Sequence, residues 1–121
     1  MSTTPVTPGT PRPIQLTPDE RQAYIDHYQQ YEDAIENTND PTLKASLIAS
    51  QNAVAAVITA DNMARIQQNT AAYEALLKQM KTTNDGLAAL QTQIKKIAGD
   101  INTYAGILSG IVKVLSLVPG I

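Results

Sequence analysis

The chain has 121 residues and a formal net charge of −2, which suits one domain with a modest core and argues against nucleic acid as the main partner. Cysteine is absent, which excludes disulfide scaffolds, thiol nucleophiles and thiolate metal sites. Phenylalanine and tryptophan are absent too, and aliphatic residues supply most of the apolar content. Because such residues favour close helix packing over a sheet sandwich, we expect an all-α protein.

The first sixteen residues are predicted to be a disordered tail. Pro5, Pro8 and Pro11 recur with the three-residue period of polyproline II, and nothing in the segment could offset the entropy cost of folding. Neither a basic n-region nor an apolar h-region is visible, so no cleavable secretory signal is expected. Residues 17–121 are predicted to form a single helical domain, in a protein that is cytoplasmic or exported without such a signal.

The first helix is predicted from about residue 18 to 37. The stretch TPDE at residues 17–20 is a capping box with proline at the first helical position. Apolar and aromatic residues then recur at spacings of four and three, as on one face of a helix. These residues are Tyr24, Tyr28, Tyr31 and Ile35.

A second helix is predicted from about residue 42 to 82. Asp40 and Pro41 restart the chain as a helix, and neither glycine nor proline follows until Gly86. The alanine, leucine and glutamine content favours one continuous helix, with a kink near residues 59–62 as the alternative. The stretch TTNDG at residues 82–86 is predicted to be the turn that ends it.

The third helix is predicted from residue 86 to 118, because apolar residues there follow a heptad pattern for more than four repeats. The pattern comprises Leu87, Leu90, Ile94, Ile97, Ile101, Tyr104, Leu108, Ile111, Leu115 and Val118. Two short turns make consecutive helices antiparallel. We therefore expect an elongated hairpin, 42–82 with 86–118, whose apolar half is covered by the first helix to give a three-helix bundle at one end.

A stripe of small residues on the last helix is predicted to be an interaction surface. Glycine in an exposed helix costs about 1 kcal/mol relative to alanine, so several on one face suggest close approach of another helix. The stripe comprises Gly99, Thr103, Gly106, Gly110 and Lys113. The alternative is that these glycines are merely tolerated on a flexible helix.

No pattern in the sequence predicts catalysis. His27 is the only histidine, and a lone imidazole without cysteine cannot build a typical zinc site. No nucleophile elbow or glycine-rich phosphate loop is present. We expect His27 to lie on the flank of the first helix, and we expect neither an enzyme, a cofactor, a metal site nor a small-molecule substrate.

Two functions are compatible with these patterns. The first is a helical assembly protein that self-associates or binds a helical partner through its last helix. Seven acids against two arginines in residues 1–40, with a basic remainder, indicate either ordinary solvated faces or a dipolar molecule whose ends meet in an assembly.

The second is a membrane-active protein, such as a pore-forming toxin or a secretion-system component, that exposes its last helix on insertion. In outline, a long hairpin with an apolar segment resembles elongated helical pore-formers, and a disordered head followed by two helices resembles needle-filament subunits. The apolar stretch from residue 104 to 118 is only about 22 Å long as a helix, against a hydrocarbon core of about 30 Å. A constitutive transmembrane helix is therefore not expected.

Overall fold

A computed structural model describes residues 15–97 and 101–117. Within these ranges the chain is helical and contains no strand, so the predicted all-α class is confirmed. The α-helices are α1 (Pro18–Glu36), α2 (Pro41–Gln67), α3 (Thr70–Ile97) and α4 (Ala105–Leu117), with a 3-10 helix at Ile101–Tyr104 before α4. Most of the predicted disordered tail, residues 1–14, lies outside the described residues.

The start of α1 follows the sequence pattern closely. The Glu20 amide donates to Thr17 Oγ1 at 3.2 Å, and the Thr17 amide donates to Glu20 Oε1 at 3.0 Å, which completes the capping box. Leu16, which the sequence pattern places in the tail, is only 1% exposed and belongs to the hydrophobic core. Ordered, packed chain therefore begins before the cap.

The second predicted helix ends earlier than expected. Its start is as predicted, with the Leu43 amide donating to Asp40 Oδ1 at 2.8 Å, but α2 ends at Gln67. Gln68 adopts a left-handed conformation with φ of 47°, and Asn69 Oδ1 then accepts from the Ala72 amide at 2.8 Å to cap α3. One left-handed residue and one asparagine cap therefore make the turn. The predicted continuous helix over 42–82 is wrong.

The predicted turn at residues 82–86 is also wrong, because these residues are helical within α3. Thr83, Asn84 and Leu87 are buried there, so packing offsets the modest cost of a glycine inside the helix. The predicted last helix is in turn divided between α3 and α4. The heptad pattern holds through Ile94, but in α4 Leu108 and Leu115 are only half-buried. The buried residues of α4 are Ile107, Gly110, Ile111 and Val114.

Four α-helices in the described ranges pack as a bundle in place of the predicted three. Helix α1 packs against α2 and α4, and α3 packs against α2 and α4, which puts α1 and α3 at opposite corners. Arg21 meets Asp61 and Gln51 meets Tyr28, so α1 and α2 are antiparallel. Near the other end of α1, Thr38 contacts Tyr104 just before α4 begins. The connections and contacts give an up-down-up-down bundle.

A substitution at Gly86 can distinguish a helix at residues 82–86 from a turn. A Cβ atom added at Gly86 would have no neighbour within 4 Å. Gly86→Ala should therefore raise the free energy of unfolding by about 1 kcal/mol, because alanine is the better helix former. Urea unfolding followed by circular dichroism measures this change. Destabilisation by the alanine variant would contradict a helical Gly86 and would instead indicate a turn that requires glycine.

Candidate interaction surfaces

The predicted stripe of small residues does not form one surface in the part of the chain that the structure describes. Gly99 and the side chain of Thr103 lie outside that part. Gly106 and Lys113 are exposed, and a Cβ at Gly106 would have no neighbour within 4 Å. Gly110 is buried against α1. The prediction of one exposed stripe is therefore wrong at Gly110, because α1 covers that side of α4.

Gly110 is the point of closest approach between α4 and α1. A Cβ atom there would lie 2.0 Å from Gln30 Oε1 and 2.4 Å from His27 Nδ1, well inside van der Waals contact. Only glycine fits without displacing these side chains. The glycine that the sequence assigns to an outside partner is thus explained by packing within the chain.

His27 is fully buried and does not lie on the flank of α1 as predicted. Its Nδ1 lies 3.0 Å from Gln30 Oε1, and its Nε2 lies 2.8 Å from the Tyr31 hydroxyl. Because an amide oxygen can only accept, Nδ1 carries the proton and Nε2 accepts from Tyr31. Burial lowers the pKa of His27 below 6.5, although the hydrogen bond with Gln30 opposes that shift. The imidazole is therefore neutral at pH 7.

Tyr31 continues this hydrogen-bonded chain from α1 to α2. Its ring contacts the His27 imidazole edge-on with 4.6 Å between centroids, and it also hydrogen-bonds Ser50. Burial raises the pKa of the Tyr31 hydroxyl, and the hydrogen bond with Ser50 opposes the rise. Gln30, His27, Tyr31 and Ser50 thus form a polar chain of neutral side chains.

A buried ion cluster ties the start of α1 to α2. The Asp61 carboxylate is inaccessible to solvent and accepts from Arg21 at 2.5 Å, from Arg65 at 2.8 Å and from the Leu16 amide at 2.7 Å. Arg65 also donates to the Leu16 carbonyl at 3.2 Å. Burial alone would raise the pKa of Asp61, but these hydrogen bonds outweigh it and the pKa is lowered. The cluster has a structural role, since Asp61 and Arg65 of α2 hydrogen-bond the backbone of Leu16 and hold the start of α1 against α2.

An open groove of about 540 Å³ runs between α2 and α3. Its lining is uncharged and consists mostly of small residues, namely Ala56, Thr59, Ala60, Met63, Gln67, Ala71, Ala72 and Ala75. Met63 is 43% exposed, and Ile66, three residues further along α2, is 77% exposed. Alanine walls let another helix approach closely, so the groove can accept an apolar ridge.

Helix α4 carries such a ridge on its outer side. Leu108, Val112 and Leu115 recur at spacings of four and three, so they align along one side of the helix. Val112 is 55% exposed and the two leucines are half-buried. Two leucines that the heptad pattern assigns to the core therefore contribute to the surface, where an exposed valine joins them.

Charges are unevenly distributed on the described surface. The exposed ionisable residues of α1 are all acids, whereas α3, at the opposite corner, exposes four lysines and two acids, which are Lys78, Lys81, Lys95, Lys96, Glu74 and Asp85. Neither the groove walls nor the three ridge residues are charged. The uneven charge that the sequence predicts is thus present in the fold, but it lies outside the two apolar surfaces.

The part of the chain that the structure describes contains no group of three or more His, Asp or Glu residues that could hold a metal ion. Among the described helices, α2 is long and apolar enough to cross a membrane by length and composition, with a mean hydropathy of 1.3 over its best window. Core helices of soluble bundles share this length and composition, so these two properties alone do not identify a membrane span. Helix α4 is apolar but shorter, with 13 residues.

Comparison of the chain with protein-family models, curated proteins and solved structures finds no match.

Sequence reasoning missed both the Asp61 cluster and the groove. A signal for the cluster was present, since Asp61 is the only acid in α2 and Arg65 follows it at the helical spacing of four. A single acid on a mostly apolar helix, with an arginine one turn away, suggests a buried, paired carboxylate. The groove had no such signal, because it depends on α2 ending at Gln67 and packing against Ala71 and Ala75.

Gly110 and Gly106 form a matched pair for testing the packing of α4. Gly110→Ala should lower the free energy of unfolding by about 1–3 kcal/mol, since the added methyl group would overlap His27 and Gln30. Gly106→Ala should raise it by about 0.5–1 kcal/mol, since that site is open. Urea unfolding of both variants measures these changes in the free energy of unfolding. Equal effects of the two alanines would contradict the burial of Gly110 against α1.

Proposed function

We propose that the protein is a non-enzymatic helical assembly protein that self-associates, with the α4 ridge of one copy packed into the α2–α3 groove of the next. The observation that carries the proposal is the groove itself, which combines alanine walls, an exposed Met63 and no charged lining residue. Such a groove is typical of helix-in-groove recognition, in which an apolar helix face supplies anchors at spacings of three and four.

The α4 ridge has the pattern that this groove requires. Leu108, Val112 and Leu115 supply three apolar anchors over two turns, next to small residues such as Ser109 and Ser116. Both surfaces are uncharged, so bringing them together removes apolar area from water without burying an unpaired charge. The chain thus carries on its own surface a ridge suited to its groove, which favours a second copy as the occupant.

Ridge and groove are different surfaces, so their contact is heterologous. A heterologous contact closes into a ring when the rotation between copies permits, and otherwise it continues as a filament. Each copy then uses one ridge and one groove. In this proposal α4 mediates self-association through its apolar side and not through a glycine stripe that includes Gly110.

Two charge-introducing substitutions test this contact. Val112→Glu alters the ridge and Met63→Glu alters the groove, and each should weaken self-association at least about tenfold, because a carboxylate would be buried without a partner. Gln29→Glu adds the same charge on the exposed face of α1 and should leave association unchanged. Sedimentation velocity over a range of concentrations measures association, and circular dichroism checks that each variant is folded.

A mixture of the Val112→Glu and Met63→Glu variants tests whether the ridge of one copy binds the groove of another. The Met63→Glu protein keeps its ridge and the Val112→Glu protein keeps its groove, so an equimolar mixture should form a one-to-one dimer and nothing larger. No association in the mixture, despite association of the wild type, would contradict a ridge-in-groove contact. A wild type that stays monomeric at high concentration would contradict the proposal as a whole.

A membrane-active protein is the second candidate, and the length and apolar composition of α2 favour it. In this role the bundle would open and present α2, with or without α4, to a bilayer. Wild-type protein that stays monomeric in solution but floats with neutral liposomes in a density gradient would support this candidate against the first.

A further inference from the structure

We propose that His27 is a proton-operated release for α4, so that protonation of the buried imidazole separates α4 from α1 while α1, α2 and α3 stay packed. This inference goes beyond the proposed function and does not rest on it. Its basis is the position of the imidazole, which is fully buried in α1 and lies directly beneath Gly110 of α4.

The hydrogen bonds of His27 suit only the neutral imidazole. Nδ1 donates to Gln30 Oε1 and Nε2 accepts from the Tyr31 hydroxyl. Protonation places a hydrogen on Nε2, where it faces a hydroxyl that was donating. Tyr31 must then turn its proton away, toward Ser50. Both hydrogen bonds of the Tyr31 hydroxyl are thus reversed at the same time as a charge is created in the core.

No described group is placed to balance that charge. On α1 the titratable neighbour is Tyr31, and on α2 the hydroxyl of Ser50 lies beyond it. On α4 the neighbour is the Gly110 backbone, and the one titratable side chain of that helix, Lys113, is exposed. On α3, Asn84 binds Tyr24, and both ionisable residues nearest to it in sequence, Lys81 and Asp85, are exposed and paired with each other. A buried cation without a counter-charge must gain water.

Helix α4 is the element that can leave to admit water. The Asp61 cluster ties α1 to α2 through Arg21 and Leu16, and a Thr83 hydrogen bond to the Ala53 carbonyl ties α2 to α3. Just before α4 begins, the Tyr104 hydroxyl hydrogen-bonds Thr38 at 3.0 Å. Further along the helix, the Ser116 hydroxyl donates within α4, to the Lys113 carbonyl. Beyond Tyr104, apolar contacts and the Gly110 approach hold α4 in place, so this part of the helix can separate while its start stays tied to Thr38.

The direction of the pH dependence follows from the lowered pKa of His27. With α4 docked the imidazole titrates below 6.5, whereas with α4 released it titrates near that value. The released form therefore takes up the proton first as the pH falls. Docking is at full strength above pH 6.5 and weakens below it by up to about tenfold per pH unit, until the pH reaches the lowered pKa. Asp61 does not act in this range, because its pKa lies below 3.8.

Paired spin labels test the release directly. The chain has no cysteine, so cysteines introduced at Gln29 on α1 and Ser109 on α4 carry the only labels. Labelled protein diluted with unlabelled protein removes distances between copies. Between about pH 7.5 and pH 5, a second population should appear and grow, in which the α1–α4 distance is longer by roughly one helix diameter, about 10 Å. A control pair at Asn52 on α2 and Thr82 on α3 should not change.

His27 can be monitored and replaced independently. As the only histidine, its ring signals in an NMR titration need no assignment by mutation, and they should titrate together with the distance change. His27→Gln, which stays neutral, should hold the α1–α4 distance constant over the same pH range. A constant distance in the wild type, a change that persists in the glutamine variant, or opening of the α2–α3 pair at the same pH would overturn the proposal. If the variant does not fold, the wild-type distances and the histidine titration decide alone.

Discussion

The close approach of α4 to α1 at Gly110 is the contact on which much of the bundle depends. It places the α4 backbone within van der Waals distance of His27 and Gln30, which leaves no room for a side chain. The same approach buries the imidazole and turns Ile107, Ile111 and Val114 toward the core. It also fixes the rotation of α4, so that Leu108, Val112 and Leu115 lie along a partly exposed side. The absence of a side chain at Gly110 therefore allows the core packing of α4, the burial of His27 and the partial exposure of the outer side of α4.

Features that depend only on residues close together in the sequence could be predicted from the sequence. The capping box at residues 17–20 and the Asp40 cap set helix starts through contacts across three residues, so they do not depend on the tertiary fold. The all-α class follows from composition and periodicity for the same reason. The turn at Gln68 was missed because it uses a non-glycine residue with positive φ, which is uncommon and carries no clear sequence signal.

Features that depend on which helices meet could not be predicted. Gly106 and Gly110 lie four residues apart and read alike in the sequence, yet one is open and the other is covered by α1. His27 is similar, since its burial follows from α4 packing over it and not from its neighbours in α1. The groove could not be predicted from a continuous helix over 42–82, because its walls come from the end of α2 and the start of α3. Buried polar residues such as Asp61 belong to the core but are missed when the core is predicted from apolar residues alone.

In this structure α4 packs on α1 through Gly110 over a neutral His27. Multidimensional NMR at about pH 7.5 can detect this packing, since the imidazole nitrogen shifts report the tautomer of His27 and nuclear Overhauser effects report its neighbours. We expect a neutral ring with the proton on Nδ1, and cross-peaks from the ring to the α-protons of Gly110. An imidazole that titrates freely near pH 6.5, with its proton on Nε2 when neutral and no cross-peak to Gly110, would contradict it.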